Sequence, residues 1–172
     1  MREMEIYGVS FDLVGKQPIV LLKTSGGNKF LPIWIGHPEA AAILVKLQNA
    51  SVARPMTHDL LSDLLGQLDA EVVSVTVTEL RENTFYARIT IKQNGTEIEV
   101  DSRPSDAIAL AVRSDAKIFA ADDVIEEFGI EFEGEGGESD EIAGVTPLAD
   151  LDPDEFRQFL DSVSPDEFRA ED

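Results

Sequence analysis

The segments Val73-Ser74-Val75-Thr76-Val77-Thr78 and Phe85-Tyr86-Ala87-Arg88-Ile89-Thr90-Ile91-Lys92 give the clearest signal of the fold class, because apolar and polar side chains alternate in both. Such alternation places every second side chain on one face, which predicts two half-buried β-strands. Asn94-Gly95 predicts a tight hairpin turn into a third strand. A helix from about Pro104 to Arg113 should follow, since proline suits the first position of a helix.

The first part of the chain repeats this plan. Apolar segments at residues 3–11, 18–22 and 30–35 predict three strands, and Pro38 opens a helix that continues to Leu47. We therefore predict a mixed α/β (α+β) fold built of duplicated β-β-β-α halves with a largely antiparallel sheet. A cleft between the halves is the expected place for a functional site.

Between the halves, Thr57 should cap a second helix whose leucines recur at the spacing of one helical face. These leucines are Leu60, Leu61, Leu64, Leu65 and Leu68. Burial of large apolar side chains drives folding, so we expect this face and Trp34 to lie in the core. Further along, Ile118-Phe119 predicts a short strand, and residues 122–128 predict a helix that ends at Gly129.

The charge of the chain is unevenly distributed. Its 172 residues include 14 Lys plus Arg and 34 Asp plus Glu, for a formal net charge of -20, and residues 126–172 alone hold 17 acidic and two basic residues. We predict a domain over residues 1–130, an acidic glycine-rich linker over 131–147 and a short acidic helical tail over 148–172. The apolar residues of the tail, Phe156, Phe159, Leu160 and Val163, share one helical face. This face should dock on the domain or bind a protein partner.

Composition and motifs exclude several classes of protein. The chain has no cysteine, so disulfides and thiolate metal sites are ruled out. Its longest uncharged apolar stretch begins near Phe30 and stops at Glu39, well short of the roughly 20 residues that span a bilayer. Acidic residues occupy the start, where a secretory signal would be basic, so we expect a cytoplasmic protein with no membrane partner. The sequence also lacks a Walker phosphate loop, a dinucleotide-binding fingerprint and a His-Glu-x-x-His metal helix.

Three polar clusters at predicted helix starts remain as candidates for chemistry. They are His37-Pro38-Glu39, Arg54-Pro55-Met56-Thr57-His58-Asp59 and Asp101-Ser102-Arg103-Pro104-Ser105-Asp106. Helix N-termini attract anions through free amide hydrogens and partial positive charge, and arginine binds phosphate through paired hydrogen bonds. Histidine can transfer protons, and carboxylates can also bind metal. Ordinary helix caps, first turns and ion pairs contain the same residue types, so a structural role stays open for each cluster.

Three segments of the chain resemble the bifunctional nuclease family. They are Leu31-Pro32-Ile33-Trp34-Ile35-Gly36 with Glu39-Ala40, Arg54-Pro55 with Thr57-His58-Asp59-Leu60-Leu61, and Asp101-Ser102-Arg103-Pro104-Ser105-Asp106-Ala107-Ile108-Ala109-Leu110-Ala111. The resemblance covers roughly residues 3–130, and the tail looks like that of actinobacterial members. It implies a bacterial protein with a mixed α/β fold and nuclease activity on both DNA and RNA.

The polar positions that match the family define our site hypothesis. The predicted phosphate-binding residues are Arg54, Thr57, Arg103 and Ser105. The predicted catalytic residues are His58, as general base or acid, Asp59 and Asp106. The predicted ligands of a divalent cation, Mg²⁺ or Mn²⁺, are Glu39, Asp59 and Asp106, because metal-assisted phosphodiester hydrolysis uses such oxygen ligands.

The leading hypothesis is a nuclease, a hydrolase that cleaves DNA and RNA without strong sequence specificity and with divalent-metal assistance. The acidity of the chain and its lack of a lysine-rich stripe or an aromatic stacking platform predict weak, salt-sensitive binding of nucleic acid. The alternative is a non-catalytic regulatory module whose cluster binds a phosphorylated metabolite or a protein. We also expect a homodimer, because the strand at residues 19–22 is apolar on both faces and both need covering.

Overall fold

The computed structural model describes residues 1–12 and 17–131, which form eight strands and four helices. In chain order these elements are β1 (Arg2–Asp12), β2 (Gln17–Thr24), β3 (Lys29–Trp34), α1 (His37–Leu47), α2 (Thr57–Gln67), β4 (Ala70–Arg81), β5 (Thr84–Gln93), β6 (Thr96–Ser102), α3 (Pro104–Ser114), β7 (Lys117–Ala120), α4 (Asp122–Phe128) and β8 (Ile130–Glu131). Every strand and helix predicted within these residues is present.

All eight strands belong to one sheet, in the order β6-β5-β4-β7-β1-β2-β3-β8. Within the described ranges β4 and β7 are the one parallel pair, and the other neighbouring strands are antiparallel. The strands β1-β2-β3 and β4-β5-β6 lie on opposite sides of β7, and each set is followed in the chain by a proline-opened helix. The predicted α+β class and the duplicated order of elements are therefore confirmed.

The register of the strands explains how the alternating segments make the core. Val75 lies opposite Ile89 and Val77 lies opposite Ala87, and all four side chains are buried. Helix α1 buries residues 40–45, and α3 buries residues 107–111. Because α3 contacts α1 and also β4 and β5, it joins the two halves through this core.

Backbone geometry confirms the predicted hairpin turn and explains why β3 tolerates a proline. Asn94 and Gly95 have φ angles of 50° and 80°, the left-handed conformation that a two-residue hairpin turn requires. Pro32 pairs with β2, whereas β8 pairs with β3 only at Lys29 and Phe30. Pro32 therefore lies where β3 has an uncovered edge, a position that tolerates a residue without an amide hydrogen.

The predicted burial of Trp34 and of the α2 leucines is wrong. Trp34 is 51% exposed at the end of β3. Leu65 packs against the core, but the other leucines, Leu60, Leu61, Leu64 and Leu68, are exposed. Helix α2 contacts α3 and β4, and these leucines lie on the part of the helix that no described element covers.

The start of α2 also differs from the prediction. The N-cap residue is Met56, and Thr57 is an exposed first helical residue without a capping role. The Asp59 carboxylate instead accepts a hydrogen bond of 2.7 Å from the Met56 backbone amide. A carboxylate in the first turn thus satisfies a backbone donor and complements the partial positive charge of the helix start.

The predicted linker and tail fall outside the described residues, apart from Glu131 in β8. The boundaries of the domain, the linker at 131–147 and the tail at 148–172 stay predictions. Within residues 1–12 and 17–131, no helix combines the length and the hydropathy that crossing a membrane requires.

Candidate functional site

Three helix starts bring the predicted site residues into one region. Helices α1 and α3 each begin with a proline in the first turn, and α2 begins at Thr57. Both α1 and α2 contact α3. Four charged or titratable side chains from these helix starts interact directly, and we call them the Arg103 cluster: Glu39, His58, Arg103 and Asp106.

Arg103 connects the two halves of the fold. Its Nε donates to Asp106 Oδ2 at 2.7 Å, and its Nη2 donates to Asp106 Oδ1 at 3.1 Å. The same Nη2 lies 2.9 Å from Oε1 of Glu39, which belongs to α1 in the other half. The Arg103 side chain is 66% exposed, so solvent and ligands can reach its guanidinium.

His58 shares the carboxylate that Arg103 binds. Its Nε2 lies 3.0 Å from Asp106 Oδ1, and its side chain is only 12% exposed. Burial acts to raise the pKa of the Asp106 carboxyl, but hydrogen bonds from Arg103 and His58 outweigh it and hold that pKa below its usual value. Asp106 is therefore an ionised acceptor that fixes both the guanidinium and the imidazole.

Asp59 belongs to a separate group, which we call the Arg113 cluster: Asp59, Arg113 and the backbone carbonyls of Ala42 and Ala109. Arg113 Nε donates to Asp59 Oδ1 at 2.6 Å, and its other nitrogens donate to the carbonyls of Ala109 at 2.8 Å and Ala42 at 3.0 Å. The Arg113 side chain is 3% exposed. One buried guanidinium therefore joins α1, α2 and α3.

The pKa of Asp59 is also lowered. Burial acts to raise it, but hydrogen bonds from the Met56 amide and from Arg113, with the charges of Arg113 and Lys46, lower it further than burial raises it. Asp59 is thus held ionised by structural partners. Its carboxylate is committed to Arg113 and to the start of α2, not to the Arg103 cluster.

Sequence reasoning missed Arg113. An arginine in the last turn of a helix is usually explained by the partial negative charge of the helix end. The available signal was its spacing, because Arg113 follows Asp106 by two helical turns and so lies on the same face of α3. That spacing shows a shared face but does not show that Arg113 is buried or that its carboxylate partner comes from another helix.

The remaining predicted phosphate-binding residues do not join the Arg103 cluster. Arg54 and Thr57 are exposed, and Ser105 is buried in the first turn of α3. Among the described residues, no ion pair or side-chain hydrogen bond links any of these three side chains to the cluster. Their role in phosphate binding stays a prediction.

The predicted metal ligands fall into different groups. Glu39 and Asp106 both contact Arg103, whereas Asp59 contacts Arg113. In the described part of the chain, no three His, Asp or Glu side chains are arranged to hold a metal ion. The three carboxylates do not fit a common metal centre in this arrangement, and the divalent cation stays a prediction.

The chain is similar to a bacterial protein of the same length and to longer plant proteins. A family model described as the bifunctional nuclease domain matches residues 20–133, which include both clusters. An uncharacterized protein of Mycobacterium tuberculosis is 39% identical over 170 residues, which cover 99% of this chain and 99% of that protein. Bifunctional nuclease 1 of Oryza sativa subsp. japonica is 30% identical over 98 residues, or 55% of this chain and 30% of the plant protein. Bifunctional nuclease 2 of Arabidopsis thaliana has the same identity over the same shares.

Proposed function

The chain belongs to the bifunctional nuclease family, and on this premise we propose that it hydrolyses phosphodiester bonds of DNA and RNA without strong sequence specificity. The observation that carries the proposal is the Arg103 cluster. It joins a guanidinium, an imidazole and two carboxylates within hydrogen-bond distance. Phosphodiester hydrolysis needs a cation for the phosphate and a group that transfers protons, and this cluster supplies both.

Arg103 is the phosphate-binding residue in this proposal. Its side chain is the most exposed of the four in the cluster, so a phosphate group meets it first. Guanidinium binds phosphate and carboxylate with the same paired geometry. A phosphate can therefore replace Glu39 or one oxygen of Asp106 without a change in the kind of hydrogen bond that Arg103 makes.

His58 is the proton-transfer residue, and Asp106 positions it. With Nε2 donating to Asp106, the Nδ1 atom of His58 carries the lone pair that takes a proton from the attacking water. The water oxygen bonds to phosphorus as the P–O bond to the sugar oxygen breaks, and that leaving oxygen takes a proton from solvent. The ionised Asp106 then stabilises the imidazolium that forms, as a carboxylate does in other histidine-carboxylate pairs. Since His58 is largely buried, its ring is held in one orientation by its surroundings.

The charge of the cluster limits affinity for nucleic acid. Glu39 and Asp106 bring two negative charges, Arg103 brings one positive charge, and His58 adds another only when protonated. The helix starts contribute only partial positive charge. We therefore propose weak binding through the phosphate backbone, which falls steeply as salt rises.

The test is an assay of the full chain on labelled single-stranded DNA, double-stranded DNA and RNA. His58→Ala should lower cleavage by about 100-fold or more, the usual contribution of general acid-base catalysis. Arg103→Gln and Asp106→Asn should also lower it. Arg88→Gln is the matched control, because Arg88 makes an exposed ion pair with Glu99 outside the cluster. Parallel reactions with Mg²⁺, with Mn²⁺ and with a chelator test the predicted metal assistance.

Two outcomes would remove this assignment. Wild-type cleavage that His58→Ala and Asp106→Asn both retain in full, with folds verified by circular dichroism, would exclude the Arg103 cluster as the site. Equal cleavage by all variants and by a mock purification would indicate a contaminating nuclease.

A phosphate-binding module is the second candidate, and the closed ion pairs of Arg103 favour it. These pairs satisfy the donors of Arg103 when no substrate is bound. A phosphorylated ligand can then take the place of one carboxylate. In that case inorganic phosphate or a nucleotide would raise the thermal midpoint of the wild type but not that of Arg103→Gln, and no turnover would be seen.

A further inference from the structure

Helix α2 presents an exposed apolar surface that the nuclease proposal does not use. We call it the leucine face: Leu60, Leu61, Leu64 and Leu68, which are 54%, 39%, 51% and 61% exposed. At 3.6 residues per turn these positions fall within an arc of about 100°. His58 and Leu65 lie further round the helix, beyond Leu61, where His58 contacts Asp106 and Leu65 packs against the core.

Exposed apolar side chains are concentrated in this part of the molecule. Six of the eleven large apolar side chains that are exposed among the described residues lie between residues 52 and 73. Single exposed leucines are common on protein surfaces, but contiguous groups of them mark interaction sites. The leucine face therefore needs an occupant.

Charge argues against the acidic tail as that occupant. Asp63, Asp69 and Glu71 are exposed beside or just beyond the leucine face. Residues 148–172 hold nine acidic and two basic residues, so these acids would repel the tail even though it has apolar residues to offer. Nucleic acid and anionic membranes are disfavoured on the same ground.

We propose that the leucine face is the contact between two copies of this chain, with the two α2 helices antiparallel about a two-fold axis. In that arrangement Leu61 of one copy meets Leu64 of the other, and the same patch serves both partners. Antiparallel helices also place each partial positive helix start beside the partial negative end of its neighbour.

Charges at the two ends of α2 fit this orientation. Arg54 precedes the helix, is exposed and makes no ion pair with another described residue. Asp69 follows the helix, and the last turn of α2 has no basic residue of its own. Antiparallel pairing brings Arg54 of one copy toward Asp69 of the other. The proposal is independent of nuclease activity, since the leucine face includes no residue of the Arg103 cluster.

Sedimentation equilibrium of the full chain over a range of concentrations tests the proposal. The wild type should reach the mass of two chains, and Leu64→Glu should raise the dissociation constant by at least about tenfold, which corresponds to 1.4 kcal/mol. Ile130→Glu is the matched control, because Ile130 is 46% exposed on β8, at the other edge of the sheet from β6. A monomeric wild type, or a Leu64→Glu variant that pairs as tightly as the wild type, would overturn the proposal.

Charge variants test the orientation. Arg54→Asp and Asp69→Arg should each weaken the association of the two copies, and the double variant should restore it. Asp63→Asn should strengthen the association. The two-fold axis brings both Asp63 carboxylates to the same side of the interface, where they repel each other. Failure of the double variant to restore pairing would overturn the antiparallel arrangement. A monomer whose α2 amides are protected from hydrogen exchange only when residues 148–172 are present would assign the leucine face to the tail instead.

Discussion

Arg103 and Arg113 stand at opposite ends of α3, and each pairs with an aspartate in the first turn of a helix. Arg103 is 66% exposed and contacts two carboxylates, whereas Arg113 is 3% exposed and contacts one carboxylate and two backbone carbonyls. Two arginines at the ends of one helix therefore have different roles. In the proposed function the exposed guanidinium exchanges partners with a ligand, whereas the buried one joins three helices.

Among the variants of these two arginines, Arg113→Met should lower the stability of the fold most. The variant leaves the Asp59 charge without its partner and two carbonyls without their donor, so we expect unfolding to become easier by about 3 kcal/mol. Urea denaturation at neutral pH measures the change. Arg88→Gln, which removes an exposed pair, serves as the control and should cost less than about 1 kcal/mol. An equally small loss for Arg113→Met would mean that burial does not distinguish the two arginines.

Asp59→Asn should lower the free energy of unfolding by about 2 kcal/mol, less than Arg113→Met does. The asparagine amide keeps some of the hydrogen bonds but loses the charge. The contribution of Asp59 to the free energy of unfolding should also depend on pH. The folded pKa of Asp59 is lowered, so its contribution is complete above the unfolded pKa and is lost as pH falls through the folded pKa. Denaturation at neutral and at acidic pH should show a smaller loss on acidification in Asp59→Asn than in the wild type. An identical loss in both would contradict this assignment.

Arg103→Gln should change stability least, by less than about 1 kcal/mol, because its ion pairs are screened by solvent. The same variant should lose phosphate binding or cleavage. Arg103→Lys separates charge from geometry, since lysine keeps the charge without the paired donors. A large loss of stability with unchanged activity would place Arg103 with Arg113 as a structural residue.

The fold class and the order of its helices and strands could be predicted from the sequence because the signals were local. Alternation at residues 73–78, the Asn94-Gly95 turn and the prolines at the starts of α1 and α3 each depend on neighbours in the chain. Likewise, Glu39, His58, Arg103 and Asp106 could be selected because their residue types at helix starts suit phosphate chemistry. The structure brings these four side chains together where the two halves join, and a functional site at this place stays a prediction.

The ion-pair partners and the burial of the helices could not be predicted, because they depend on contacts with distant parts of the chain. Asp59 and Asp106 both follow a helix start, and only the packing of α3 against α1 and α2 assigns them to different arginines. Helices α1 and α2 show the same limit. Both are 11 residues long and carry large apolar side chains, yet α1 buries residues 40–45 and α2 buries none. Spacing identifies the faces of a helix, but it does not show whether another element covers them.

The position of β7 has a consequence for synthesis of the chain. β7 pairs with β1 on one side and with β4 on the other, so the two halves are joined in the sheet by a strand made after both. Until residues 117–120 leave the ribosome, β1 and β4 each present an unpaired edge, the kind of edge that invites wrong pairing between chains. Completing the sheet then requires contacts between residues far apart in sequence, which form slowly. A nascent chain of this protein is therefore most exposed to aggregation shortly before its last central strand arrives.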